Sequence, residues 1–196
     1  MPSRRITRHK ATAHYLMKIH LAGPGGAGKT TVGAFLKDRL HSPFVDLDMV
    51  FRERAGDISN YMQRRGYQAY ARYNVDVYRS IAAEACILAL SSGFMTYAAE
   101  VHPNYVEVRA AIAESPTTVV LLPSLDLEAC VTEIVRRQVH RPLGLVAARE
   151  EVKIRERFPV YMALPAPKVT TMQAPEAIAS DIIDLLWHNS RQHSNR

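Results

Sequence analysis

Short apolar blocks alternate with amphipathic stretches along this chain, and that alternation predicts its elements. Residues 16–22 form an apolar run too short for a buried helix and closed by a glycine-rich turn, so they predict a first strand. Residues 31–40 place Val32, Phe35, Leu36 and Leu40 on one face of a helix, and His41-Ser42-Pro43 ends it. Residues 44–48 then read as a short buried strand that closes on two carboxylates, Asp46 and Asp48. A helix over 49–55 stops at Gly56, and a second over 58–65 takes Asp57 as its N-cap. Residues 67–85 predict a long helix with Tyr70, Tyr73, Val77 and Ile81 as its apolar stripe, the tyrosines serving as half-buried packing. The second half repeats the rhythm: strands over 85–90, 117–122 and 168–171, and helices over 103–113, 126–138, 147–162 with an interruption at Pro159, and 175–187.

Strands that alternate with helices imply an α/β fold with a parallel sheet covered on both faces. Such sheets bind ligands beyond the carboxyl ends of their strands, where the glycine turn, Asp48 and the Ser91-Ser92-Gly93 loop all fall.

The glycine turn carries the most specific chemistry. Gly23, Gly28, Lys29 and Thr30 fit G-x-x-x-x-G-K-[ST] between an apolar strand and a helix, which is the setting of a phosphate-binding loop. Gly25, Gly26 and Gly28 let backbone N–H groups close on phosphate oxygens, with Ala27 and Thr31 in the same loop and the helix N-terminus adding partial positive charge. Lys29 is placed for the β- and γ-phosphates, and the Thr30 hydroxyl for a magnesium ion bound to them. ATP and Mg²⁺ are the expected cofactors.

Composition narrows the setting without changing that reading. With 196 residues, 47% hydrophobic and 22% charged, the chain suits one globular domain, and no apolar run approaches the length that spans a bilayer. Cys86 and Cys130 lie far apart with no metal-ligand spacing, which predicts reduced thiols and a cytoplasmic setting. The net charge of +6 is concentrated at the ends. Residues 1–14 therefore read as a basic, disordered arm and 189–196 as a flexible tail around a single domain over 15–188. The arm precedes Met17, so it also reads as an extension that the fold does not use.

Phosphoryl transfer needs placement, charge neutralisation, an acceptor site and a lid. Asp46 and Asp48 alternate along a strand end, so their side chains are expected to point opposite ways: Asp46 to the magnesium side, Asp48 to an acceptor hydroxyl that it orients or deprotonates. The alternative is that one of them only caps the next helix. Arg72 and Arg157 are candidates to clamp an anionic group of the acceptor, and Arg141 lies in a proline-bearing segment that resembles a mobile lid.

GPGGAGKTT, FVDLD, an arginine on the following helix, a small-residue loop after the third strand, RPL and RFPVY together resemble the shikimate kinase family over residues 13–187. The resemblance implies a P-loop NTPase fold with a five-stranded parallel sheet in the order 2-3-1-4-5 and a short lid at about 138–148. It implies transfer of the ATP γ-phosphate to the 3-hydroxyl of shikimate with Mg²⁺. Position by position it implies Thr30 and Asp46 for the metal, Lys29, Asp48 and Arg141 for catalysis, and Arg137 near the adenine. It implies Asp48, Arg72, Ser92, Gly93 and Arg157 for the acceptor, in a region centred on residues 47–80.

This chain departs from the family on the acceptor side. Ser91-Ser92-Gly93 stands where three glycines are usual, and Val75 where an acidic partner of the carboxylate-binding arginine is usual; the span from Arg137 to Arg157 is also short. A kinase of another carbocyclic or sugar-like acceptor in a specialised pathway is therefore the rival expectation, with a nucleotide-binding regulatory protein as a third class. The expected partner is a small hydroxylated, carboxylate-bearing molecule, with no membrane or nucleic acid, bound by a monomer.

Overall fold

The computed structural model describes residues 18–81, 87–141 and 145–193. Five parallel strands run β1 (Ile19–Ala22), β2 (Phe44–Asp46), β3 (Ile87–Ala89), β4 (Thr118–Leu122) and β5 (Lys168–Thr170). Their order in the sheet is β2-β3-β1-β4-β5, as the resemblance implies. The central strands β1, β3 and β4 are buried along their whole length, which is why they read as unbroken apolar runs. Between them lie α1 (Lys29–Leu40), α2 (Leu47–Ala55), α3 (Ile58–Ile81), α4 (Tyr105–Glu114), α5 (Leu127–Val139) and α6 (Ala147–Ala163), and α7 (Pro175–His193) closes the described chain.

Strand register decides what meets at the sheet's carboxyl edge. Leu21 pairs with Ala89, and Ala89 pairs with Asp46, so β1, β3 and β2 end at one level. The loop after β1, the start of α2 and the segment after β3 therefore emerge side by side. Gly33 lets α1 pack closely on the start of β2, since a Cβ there would stand 2.2 Å from Cε2 of Phe44.

Three expectations change and one at Gly66 holds. The strand expected over 44–48 ends at Asp46, because the Asp46 carboxylate accepts from the Asp48 and Met49 N–H groups and starts α2 there. The two helices expected on either side of Gly66 are present and meet within α3 at a kink, where Gly66 has non-helical backbone (φ 83°, ψ 162°). Asp57 caps it as expected, accepting from the Asn60 N–H at 2.9 Å. Pro159 does not interrupt α6: it lies within the helix at an exposed position. Finally, α7 continues to His193, through residues expected to be a tail. The basic arm, Cys86 and residues 142–144 of the lid segment lie outside the described residues; Cys130 is buried with a free thiol.

Candidate active site

The loop between β1 and α1 has the backbone of an anion cradle. Gly28 takes φ 90° as the N-cap of α1, and no acidic side chain occupies the first helical turn. The N-terminal N–H groups and the helix dipole are left to an external anion. Gly23 is needed for close packing as well as for its φ of 143°, since a Cβ would lie 2.3 Å from the Leu121 carbonyl oxygen. Lys29 is buried and its ammonium donates to the carbonyls of Gly23 (2.7 Å) and Pro24 (2.9 Å). Burial lowers its pKa to about 8, against the pull of Asp48 and Asp46, which raises it. A cavity of about 420 Å³ opens over this loop, walled by Gly25, Gly26, Gly28, Lys29, Thr30 and Thr31 together with Asp46, Asp48, Arg137 and Arg141. Ala27 is not part of that wall: its side chain is fully buried, and its N–H donates to the Pro24 carbonyl.

Asp46 is the carboxylate that caps the next helix, and its second oxygen still faces Thr30. Its Oδ1 caps α2, and its Oδ2 accepts from the Thr30 hydroxyl at 2.5 Å. Asp48 is not on the strand but in the first turn of α2, and its carboxylate lines the same cavity as that of Asp46, the N-cap, rather than pointing away from it. Asp48 Oδ1 accepts from the Ser91 hydroxyl.

Asp48 also borders a second cavity of about 550 Å³, which shares Gly25, Ser92, Gln138 and Arg141 with the first. Ser92, Gly93 and Arg157 line it, as expected. Arg157 reaches across from α6, donating to the Ser92 carbonyl (3.4 Å) and the Tyr67 hydroxyl (3.3 Å), while Tyr161 also donates to the Ser92 carbonyl (2.7 Å). A side chain at 93 would displace the groups around it, since a Cβ would stand 2.7 Å from the Tyr67 hydroxyl oxygen and 3.2 Å from Arg157 Nη2.

Arg72 is not brought to this site. It lies on the exposed side of α3 and borders a separate hollow with Tyr97 and Glu100. The inward positions of that turn are Tyr70, Ala71 and Asn74, all buried. The helical phase restarts at Gly66, so the face on which Arg72 falls is set by that kink. The wall that Arg72 was expected to form carries the tyrosines Tyr67 and Tyr70 from α3 and Arg52 from α2.

Arg137 is more a clamp than a free platform. Its guanidinium bridges Glu133 (2.6 Å), the Gly26 carbonyl (3.2 Å), and the Thr171 hydroxyl (3.1 Å) and carbonyl (2.7 Å), tying α5 and the end of β5 to the loop. Arg141 donates to the Gln138 side chain at 3.0 Å, and Gln138 in turn donates to Glu150 at 3.2 Å. Sequence reasoning missed Arg52, Tyr67, Tyr70, Gln138, Thr171 and Gln173 as lining residues. Thr171 and Gln173 follow the last strand, so the rule that ligands bind beyond strand ends reaches them. The other four carry no local signal.

A family model described as Shikimate kinase matches residues 25–187. A shikimate kinase of Nitratidesulfovibrio vulgaris is 35% identical over 176 residues, covering 86% of this chain and 95% of that protein. One from Vibrio parahaemolyticus is 30% identical over 173 residues, with 86% and 95% covered. Among solved structures, the shikimate kinase of Acinetobacter baumannii in complex with shikimate superposes with a TM-score of 0.69 at 26% identity, covering 90% of this chain and 96% of that one. The shikimate kinase of Aquifex aeolicus shares the fold at 21% identity and a TM-score of 0.66. A glycine-rich loop with Lys29, Asp46 and Asp48 beside it and a second cavity reached by Arg157 thus sit in a chain that belongs to the shikimate kinase family.

Proposed function

We propose that this chain transfers the γ-phosphoryl group of ATP to the 3-hydroxyl of shikimate. The observation that carries the reading is that Asp48 borders both cavities, so a hydroxyl held by its carboxylate in one faces a phosphate tail held by Lys29 in the other. The loop N–H groups and Lys29 neutralise the phosphate oxygens. Asp48 orients the attacking hydroxyl and accepts its proton. Arg157 takes the acceptor's carboxylate, and Arg141 approaches the transferring group from the lid segment. Thr30 and Asp46 fit a magnesium ion, because a hydroxyl and a carboxylate oxygen stand together beside the phosphate loop. Bound there by Thr30 and Asp46, such an ion would offset the negative charge of the phosphate oxygens. A monomer in the cytoplasm fits this role, and no helix among the described residues is long and apolar enough to cross a membrane.

One observation favours a second reading. With Arg72 outside the cavity, the acceptor wall offers the hydroxyls of Tyr67 and Tyr70, which suits a related cyclic polyol with hydroxyls in place of some of the carboxylate contacts. ADP release measured against shikimate and a panel of carbocyclic and sugar acceptors separates the two. Shikimate is expected to give the highest kcat/KM, with Arg157→Ala raising its KM about tenfold or more and Arg72→Ala leaving it within about twofold. A protein inert toward shikimate and active on another acceptor overturns the first reading.

A further inference from the structure

Arg141 follows directly on the end of α5, and both its backbone and its side chain turn back to Gln138. Its N–H donates to the Gln138 carbonyl at 3.2 Å, and its guanidinium Nη1 donates to Gln138 Oε1 at 3.0 Å. Gln138 Nε2 donates in turn to Glu150 Oε2 at 3.2 Å, and Glu150 Oε1 accepts from Lys153 Nζ at 2.6 Å. Gln138 and Glu150 are both buried. Among the described residues, no carboxylate pairs with Arg141, and Gln138 is the side chain that holds it.

These partners leave the Gln138 amide one orientation. A guanidinium only donates and an ionised carboxylate only accepts, so Oε1 must face Arg141 and Nε2 must face Glu150. Turned over, the amide would set its NH₂ against the guanidinium and its oxygen against the carboxylate. The choice of an amide also has a consequence for charge. A carboxylate at 138 would neutralise Arg141, whereas a neutral oxygen takes one of its N–H groups and leaves the charge and the remaining donors for an anion. The place suits such an anion. Gln138 and Arg141 border both cavities, together with Asp48, Gly25 and Ser92, and the Arg141 charge is felt at Lys29, whose pKa it helps to lower. A side chain at 25 would displace the amide, since a Cβ there would stand 2.5 Å from Gln138 Nε2.

We propose that Gln138 and Glu150 are positioning residues: Glu150 fixes the Gln138 amide, and the amide oxygen seats the Arg141 guanidinium where the two cavities meet, before either substrate binds. This rests on the reading of Arg141 as the group that meets the transferring phosphoryl. A cation set in place beforehand needs no reorganisation when charge develops beside it.

A double-mutant cycle on the full chain tests the proposal. In steady-state assays with ATP and shikimate, Gln138→Met keeps the side-chain length, loses both hydrogen bonds, and is expected to lower kcat about tenfold with the KM for shikimate within about twofold. In an Arg141→Ala background the same substitution is expected to change kcat less than about twofold, because the group it seats is gone. Glu150→Leu is expected to follow the same pattern. A loss that persists in the Arg141→Ala background, as a merely structural role requires, overturns the proposal, and so does a kcat within about twofold of the parent in both single variants. Crystal structures without ligands read the seat directly and need no turnover. In the parent, Arg141 Nη1 is expected within hydrogen-bond distance of Gln138 Oε1; in Glu150→Leu, which keeps both partners, that contact is expected to be lost. Arg141 placed alike in the two structures overturns the proposal, whether or not Gln138→Met folds. A parent without shikimate-dependent ADP release sinks the assigned reaction instead, and the pair of crystal structures still judges the seat.

Discussion

Lys29 is asked to be a cation in a place that disfavours one. Burial lowers its pKa from 10.5 to about 8. The sign of the consequence follows from proton counts: between those values the unfolded chain holds more protons than the folded one, so unfolding free energy rises with pH. The contribution of Lys29 to stability is complete above about 10.5 and is lost as pH falls through about 8. Binding of phosphate needs the opposite charge state. For the free enzyme, kcat/KM for ATP is therefore expected to fall as pH rises through about 8, and thermal melts of Lys29→Met to lack the alkaline upslope of the parent. A flat kcat/KM profile from pH 7 to 9 sinks this assignment. The loop itself was legible from its residues, because a G-x-x-x-x-G-K-[ST] turn is local chemistry in which each residue type answers to a neighbour a few positions away. Ala27 was not, since its place in the loop says nothing about which way its methyl turns.

Helix α2 is joined to the site by one carboxylate with two tasks. Asp46 Oδ1 caps the helix while Oδ2 holds the Thr30 hydroxyl, and the two tasks separate by substitution. Asp46→Asn keeps a capping oxygen and is expected to melt within about 2 °C of the parent while losing kcat by about tenfold or more, because the second oxygen loses its charge. Asp46→Ala is expected to lose the activity and also about 1 kcal/mol of stability in denaturant titrations. Equal stability for the two variants removes the cap from the account. The elements came through the periodic pattern well, and their edges less so. A side chain that captures two N–H groups moved the end of β2 back by two residues, and the kink at Gly66 reset the phase that put Arg72 on the outside. The tyrosine stripe of α3 was read as packing, and Tyr70 does pack against Phe51 at 5.0 Å between ring centroids. Its hydroxyl end was invisible in the spacing.

Across the whole molecule, Arg137 fastens the nucleotide loop to two elements far away in the chain, α5 and the end of β5. Only part of its side chain is exposed, and it spreads bonds over a carboxylate, two carbonyls and a hydroxyl. Arg137→Ala is expected to destabilise the protein by about 2 kcal/mol and to raise the KM for ATP several-fold, and Arg137→Lys to recover little of either, since an ammonium cannot reproduce the planar fork. Melting curves and ATP saturation curves check both; a lysine variant that behaves as the parent shows that charge alone suffices. Thr171, held by that fastening, and Gln173 line the cavity over the loop.

The linear chain was enough to establish a parallel α/β sheet, a phosphate loop and a pair of aspartates beside it. Those features rest on periodicity and on contacts within a few residues, where the residue type constrains the backbone directly. Which side chains border the second cavity beside Asp48 is decided in three dimensions. Strand register put Ser91 beside Asp48, the bend at Gly66 turned Tyr67 and Tyr70 inward and Arg72 outward, and packing of α6 brought Arg157 across. Each depends on the phase and docking of elements tens of residues apart, and no spacing along a one-dimensional chain encodes that phase.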